Sequence, residues 1–140
     1  NLETTSRKTH LTDYAKLIKD ATSACPPLVE ILSTRPSVTP TALKHTDASY
    51  AILINAGFSS VQADFINHGV GVFVMGICMA AFGKSQVAAS FPSPETLKEL
   101  YPNLYNGFIH QDWDHYFENM LDVGLDSMLD GFEKMLPQSS

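Results

Sequence analysis

The sequence contains few cysteines, little charge and no strongly basic segment. Its two cysteines, Cys25 and Cys78, do not form a CxxC pair. They therefore indicate no disulfide framework, and a reducing compartment is the simplest expectation. Lys and Arg number 9 against 15 Asp and Glu, which gives a net charge of −6. Such an acidic chain has no electrostatic surface of its own for the phosphates of DNA.

Long apolar runs and a secretory signal are also missing. The longest apolar stretch, 69–83, has 15 residues, whereas a helix that spans a bilayer needs about 20. The first ten residues are polar throughout, unlike a signal peptide. We therefore expect a cytoplasmic protein with no membrane partner. The chain begins with Asn1 rather than methionine, which is typical of a fragment or a processed product.

The residues that are present suffice for one globular domain. The chain has 140 residues, of which 44% are hydrophobic and 17% are charged. This balance excludes intrinsic disorder, and the length allows a single buried core. We therefore expect residues 1–140 to form one domain.

Apolar residues recur at helical spacing between Pro- and Gly-containing turns. No segment shows the alternation with a period of two that a half-buried strand requires. The sequence therefore predicts an all-α fold with about six helices. Their predicted ranges are 9–24, 28–32, 39–57, 59–83, 93–101 and 112–136.

Capping signals determine several of these boundaries. Thr39, Ser59 and Asp112 are each a favoured N-cap residue type, and Ser59 also forms a capping-box pattern with Gln62 three residues later. Gly57 follows the third predicted helix at the position where a left-handed C-terminal cap is common.

Glycines at regular spacing distinguish the two longest predicted helices. The fourth helix contains Gly69, Gly76 and Gly83, and the last contains Gly124 and Gly131. A glycine in a helix interior costs about 1 kcal/mol relative to alanine, and a seven-residue spacing returns to nearly the same face. Such a face allows another helix to approach closely. This helix is either a neighbour in the same chain or part of a second chain.

We favour the second chain, because both long helices have wide apolar faces that a domain of this size can hardly hide. The predicted assembly is a homodimer in which two helices from each chain form a four-helix bundle. The predicted interface residues are Gly69, Gly76, Phe117, Leu121, Gly124, Met128 and Gly131.

Motifs for catalysis or metal binding are missing. The segment from His110 to His115 concentrates His and Asp but matches no zinc, calcium or metalloprotease spacing. Cys78 lies inside an apolar run, which is typical of a core thiol. No P-loop, GxSxG or GxGxxG sequence is present. We therefore expect no enzyme, no metal and no cofactor.

Isolated polar residues on otherwise apolar helices favour a small-molecule pocket instead. Such pockets are mostly apolar, with a few polar groups that orient the ligand. His68 is either a pocket residue or a polar residue at the edge of an apolar face. The polar candidates are Asp13, Thr34, His45, Ser49, Asn67 and His68.

Four segments resemble, in the same order, the C-terminal domain of the TetR (tetracycline repressor) family of transcriptional regulators. They are Leu32-Ser-Thr-Arg-Pro36, Ala56-Gly-Phe-Ser-Ser60, Gly71-Val-Phe-Val-Met-Gly76 and Gly124-Leu-Asp-Ser-Met-Leu-Asp-Gly-Phe-Glu-Lys-Met-Leu136. The resemblance implies an all-helical domain that dimerises through a four-helix bundle and closes over a small effector. It also implies that operator DNA is bound by an N-terminal helix-turn-helix domain, which is absent from this chain.

The resemblance also suggests which residues contact the effector. In tetracycline repressors a histidine and a glutamate help hold the magnesium ion of the drug complex. Here they match Ile31 and Ala80, neither of which can ligate a hard cation. Residues that orient the drug match Asp13, Leu17 and Ser49, while Thr34, Arg35 and Pro36 are retained.

The effector is therefore expected to be metal-free and mostly apolar. Its predicted contacts are Asp13, Leu17, Ile31, Thr34, Arg35, His45, Ser49, Asn67 and His68. The predicted function is the effector-binding and dimerisation domain of a bacterial TetR-type repressor. The alternative is a stand-alone helical dimer that binds a ligand or sequesters another protein.

Tetracycline binding tests the loss of the magnesium ligands directly. Because Ile31 and Ala80 replace them, we expect calorimetry with tetracycline to give the same weak or absent heat with and without magnesium. Tight binding that appears only with magnesium would contradict the prediction of a metal-free effector.

Overall fold

The computed structural model describes residues 2–34 and 38–136, and it describes the backbone alone for residues 2–7, 33 and 84–90. Within these residues the chain forms seven α-helices and no strand, so the all-α prediction is confirmed. The predicted effector contact Arg35 lies outside the described residues. The helices are α1 (Leu2–Ala24), α2 (Pro27–Thr34), α3 (Pro40–Asn55), α4 (Ser60–Ser90), α5 (Pro94–Leu100), α6 (Pro102–Ile109) and α7 (Tyr116–Glu133).

The predicted caps of the central helices are confirmed. The Thr39 side chain accepts a hydrogen bond from the backbone N–H of Ala42 at the start of α3. Ser59 and Gln62 form both bonds of the capping box, 3.2 and 2.8 Å long. Gly57, just beyond α3, has a φ of +101°, a conformation that a residue with a Cβ rarely adopts. Local residue chemistry therefore fixes the α3–α4 corner.

Three helices extend beyond their predicted ranges, and a fourth was missed. α2 covers Pro27–Thr34 rather than 28–32. α1 begins at Leu2, and α4 continues past Gly83 to Ser90. Gly83 does not form a left-handed cap, since Gly57 is the only described glycine with a positive φ. The helix therefore continues through Gly83. Residues 102–109 lie outside the six predicted helices but form α6. Pro102 opens this helix, where its missing N–H has no partner to lose.

The predicted start of the last helix at Asp112 is wrong. The Asp112 carboxylate accepts hydrogen bonds from the backbone N–H groups of Asp114 and His115 at 3.2 and 3.3 Å. These bonds form a turn ahead of the helix, and α7 begins at Tyr116. α7 ends at Glu133, three residues before the predicted end. The next backbone N–H, that of Lys134, bonds three residues back to Gly131 O at 3.2 Å instead of continuing the four-residue pattern of the α-helix.

α4 is the central helix of the fold. α1, α2, α3 and α7 all pack against it, and its side chains form the middle of the apolar core. Ile66, Val70 and Val74 of α4 are completely buried, together with Leu53 of α3. The remaining elements are therefore positioned chiefly by their contacts with α4.

Two of the regularly spaced glycines lie where α4 and α7 approach each other within the chain. A Cβ on Gly124 of α7 would overlap the ring of Phe73 on α4. A Cβ on Gly69 of α4 would lie 3.7 Å from Met128 and 3.8 Å from Phe132. At Gly69 and Gly124, the helix that approaches closely is therefore a neighbour in the same chain.

A series of aromatic rings connects the α5–α6 pair to α7. Phe91 stacks on Phe108 of α6 with a centroid distance of 5.2 Å, and Phe108 lies 4.4 Å from Trp113. The series continues through Tyr116 to Phe117. Trp113 also donates its indole N–H to Phe108 O at 3.2 Å. The α5–α6 pair is therefore attached at the start of α7.

Alanine substitutions on α7 separate a packing glycine from an open one. Gly124→Ala should lower the free energy of unfolding by about 1–3 kcal/mol, because the Phe73 ring must move. Gly131→Ala should change it by no more than about 1 kcal/mol, because nothing in the same chain lies within 4 Å and alanine favours the helix. Urea unfolding of both variants at one protein concentration checks this. Equal effects of the two substitutions would contradict the α4–α7 packing described above.

Candidate functional site

The structure separates the predicted effector contacts into a buried pair and a dispersed set. Ser49 of α3 and Asn67 of α4 are buried. The other described members are exposed: Asp13, Leu17, Ile31, Thr34, His45 and His68. Their role in binding an effector remains a prediction.

The buried pair belongs to a hydrogen-bonded network that joins three helices. The Ser49 hydroxyl donates to Asn67 Oδ1 at 2.8 Å. His10 Nε2 of α1 lies 3.1 Å from the Ser49 Oγ. Buried polar groups are costly unless they are paired, so this network fixes how α1, α3 and α4 meet. Sequence reasoning missed His10, since it lies near the start of a helix whose apolar pattern begins at Leu11.

Two exposed members of the predicted set have local partners. The Thr34 hydroxyl donates to Glu30 O, one helical turn earlier, at 2.6 Å. His68 Nδ1 lies 3.1 Å from the carboxylate of Asp64 on the same helix. These contacts account for Thr34 and His68 without a ligand.

Asp64 also links α4 to α3. The Tyr50 hydroxyl on α3 donates a short hydrogen bond to the Asp64 carboxylate. This bond raises the pKa of Tyr50 to about 12, and desolvation adds to the effect. Tyr50, Asp64 and His68 therefore form one polar cluster at the outer edge of the α3–α4 contact.

A cleft of about 440 Å³ opens between α1, α2, α4 and the first turn of α7. No predicted effector contact lines it. Its residues escaped notice because they have the spacing of ordinary core and surface positions, and only the packing of four helices creates the cavity. It is lined by Lys19, Thr22, Ser23, Pro26, Val29, Ile77, Cys78, Ala81, Phe82, Phe117 and Glu118.

The floor of this cleft contains a buried polar contact. The Thr22 hydroxyl lies 2.9 Å from Ile18 O and 3.2 Å from Cys78 Sγ. Both Thr22 and Cys78 are buried, as expected for a core thiol. Cys25 is exposed.

The acidic and histidine-containing turn before α7 is held by its own ion pair. His115 Nδ1 lies 3.0 Å from Asp112 Oδ2. The hydrogen bond between them raises the pKa of His115 and lowers that of Asp112. Among the residues the structure describes, no group of three or more His, Cys, Asp or Glu side chains could hold a metal ion.

The seven predicted dimer residues also fall into two groups. Gly76 and Gly131 lie on exposed helix faces with open space around them. The others contribute to packing within the chain, through the glycine contacts described above or through the apolar core: Gly69, Phe117, Leu121, Gly124 and Met128. Whether any of the seven also meets a second chain remains a prediction.

Among the residues that the structure describes, one helix is long and apolar enough to cross a membrane, judged by length and composition alone. Residues 60–83 of α4 form a span of 24 residues, and 33% of the most apolar window is buried inside the chain. The uninterrupted apolar run noted in the sequence, 69–83, is shorter than this span, which also includes the residues before Gly69. The polar residues before Gly69, among them Asn67 and His68, interrupt the apolar sequence, but the mean hydropathy of the window stays in the range of a membrane-spanning helix.

Alkaline titration tests the Tyr50–Asp64 contact. The folded protein holds the Tyr50 proton more tightly than the unfolded chain, whose tyrosines titrate near pH 10. The resulting stabilisation is complete below about pH 10 and is lost as the pH rises through about 12. Asp64→Ala should return the pKa of Tyr50 toward 10, which tyrosinate absorbance measures. Tyr50→Phe removes one tyrosine from the absorbance titration and so identifies the part of the curve that belongs to Tyr50. An unchanged titration in Asp64→Ala would contradict the Tyr50–Asp64 hydrogen bond as the cause of the raised pKa.

Comparison with known proteins gives one match. Residues 2–136 match the family described as Tetracyclin repressor-like, C-terminal domain. No curated protein and no solved structure was found to match. The matched region includes all seven helices, and the all-helical fold agrees with the family. Domains of this family are regulatory rather than catalytic. The chain therefore belongs to the family of C-terminal domains of TetR-type transcriptional regulators.

Proposed function

We propose that this chain is the effector-binding and dimerisation domain of a cytoplasmic TetR-type repressor. An unidentified small molecule, mostly apolar and bound without a metal, favours one of two helix arrangements. The small molecule can alter operator binding only if it binds one arrangement more tightly than the other. Operator binding itself requires an N-terminal DNA-binding domain outside these 140 residues. The observation that supports the proposal best is an exposed apolar stripe on α4.

This stripe has the spacing of a helix–helix interface. Its positions follow one another at intervals of four and three residues, which is the pattern of a coiled-coil seam. All are exposed except Met75, which is half-buried, and all but His68 are apolar. We call this set the α4 stripe: Val61, Phe65, His68, Val72, Met75, Met79 and Phe82.

The α4 stripe lies on the side of α4 opposite the buried core residues. Val70, at the centre of the core side, is completely buried, whereas Val72 is 72% exposed. A continuous row of large apolar side chains in water is uncommon in a folded domain and typically marks an interaction surface. A second copy of the same helix, with the same stripe, would cover it.

α7 provides the neighbouring part of the proposed interface. Gly124 and Met128 contact α4 within the chain, while Val123, Ser127 and Gly131 lie on exposed positions of the same helix. Small side chains at Ser127 and Gly131 leave room for a close helix. Together, α4 and α7 from two chains would form the four-helix bundle that the family leads us to expect.

Lipid is the rival cover for α4, since residues 60–83 are long enough to span a bilayer. Two features favour a protein partner. The exposed apolar residues form a stripe at seam spacing, and the Asp64–His68 pair lies within the same segment. Charged groups inside a bilayer are costly. We therefore propose a cytoplasmic dimer.

A charge placed in the α4 stripe tests the dimer. Val72→Glu should weaken dimerisation by at least about 100-fold, because each chain would bury an unpaired carboxylate. Val38→Glu is the matched control, since Val38 is 69% exposed, almost as much as Val72, but lies just before α3. Analytical ultracentrifugation over a concentration series measures both dissociation constants.

Three outcomes would contradict the proposal. One is a wild-type chain that stays monomeric over the whole concentration series. Another is a Val72→Glu variant that dimerises as tightly as Val38→Glu. The last is a chain that sediments together with phosphatidylcholine vesicles. The first removes the dimer, the second moves the interface elsewhere, and the third assigns α4 to lipid.

A further inference from the structure

α1 and α7 run in opposite directions across α4 and are joined above it by ion pairs at two places. Lys8 of α1 pairs with Asp130 of α7 at one end, and Lys19 pairs with Glu118 at the other at 3.2 Å. Side chains of α4, such as Ile66 and Ile77, line the space between the two helices. The result is a groove with charged bridges above and an apolar floor below.

The two ends of this groove differ in how completely they are filled. At the Lys8 end, Leu11, Phe132 and their neighbours leave only about 20 Å³. At the Lys19 end the groove widens into the cleft of about 440 Å³. Cavities that bind small molecules typically have volumes of about 300–1,000 Å³. Only the Lys19 end of the groove reaches this range.

The walls of the cleft define the chemistry of a ligand. Most are apolar, including Val29, Ile77 and Phe117. Lys19 and Glu118 neutralise each other, so a charged ligand would have to compete with an existing ion pair. A few polar groups, among them the hydroxyls of Thr22 and Ser23, remain at the α1 wall.

We infer that this cleft is the effector site, and that it takes an uncharged, mostly apolar organic molecule. The inference rests on the proposed function, which supplies the effector but not its location. It differs from the site predicted from sequence, whose buried members Ser49 and Asn67 already bond to each other.

The position of the cleft also suggests how a bound molecule reaches the dimer surface. Phe82 lines the cleft and is the last member of the α4 stripe, while Phe117 and Glu118 belong to the first turn of α7. A ligand in the cleft would contact Phe82 of α4 and Phe117 of α7, and would therefore act on both helices of the proposed interface. The Lys19–Glu118 pair spans this opening.

Binding of Nile red, an uncharged and mostly apolar dye, tests the site on the 140-residue chain. Ala81→Trp places an indole in the cleft and should weaken dye binding at least about tenfold, equivalent to about 1.4 kcal/mol. Ala51→Trp is the matched control, because Ala51 is also an exposed helical alanine but lies on α3, outside the cleft. Fluorescence titration measures the affinities, and circular dichroism verifies that both variants are folded.

A second measurement needs no substitution in the cleft. N-ethylmaleimide should modify buried Cys78 slowly, and Nile red should slow the reaction further. With free dye at about ten times its Kd, only about a tenth of the clefts remain vacant, so the rate at Cys78 should fall about tenfold. Cys25 is exposed and outside the cleft, and its rate should stay constant. Mass spectrometry measures both sites in the same sample.

The possible results separate this inference from the proposed function. Absence of dye binding to the wild-type chain would overturn the apolar cleft site. Binding that is insensitive to Ala81→Trp and leaves Cys78 unprotected would overturn the location. If Asn67→Leu then abolished binding, the effector site would lie at the Ser49–Asn67 network. Loss of the dimer alone would overturn the proposed interface and leave the cleft in place.

Discussion

α4 has apolar side chains on two opposite sides, and the removal of such side chains from water is favourable on either side. One side is covered within the chain by α1, α2, α3 and α7. The other, the α4 stripe, is left largely exposed by the part of the chain that the structure describes. Apolar burial provides most of the stability of a folded domain. This helix therefore fixes the fold on one side, and on the other it carries the surface that we propose a second copy of the chain covers.

Local chemistry determined the parts of the fold that could be predicted. Thr39 and the Ser59–Gln62 pair cap their helices through bonds that depend on residues three positions apart. Gly57 takes a positive φ, which residues with a Cβ rarely adopt. Asp112 has the right type for a cap, yet it closes a turn instead. An aspartate can either cap a helix or close a turn, and nothing in the sequence around Asp112 distinguishes these two roles.

The candidate site was harder to predict because it depends on contacts between distant segments. Ser49 and Asn67 were both among the predicted effector contacts and bond to each other, but their partner His10 lies on a helix whose pattern gave no sign of it. The cleft is formed by four helices whose individual residues look like ordinary core positions. A glycine pattern likewise predicts close helix approach without saying which chain supplies the neighbour. At Gly124 it is the same chain.

The series of aromatic rings gives the molecule a built-in optical reporter. Trp113 is the only tryptophan, and it lies between Phe108 of α6 and Tyr116 of α7. Any shift of the α5–α6 pair relative to α7 changes the surroundings of this indole. Because Phe117 connects the series to the cleft, intrinsic emission senses events at the cleft and at the α5–α6 pair together, without an attached label.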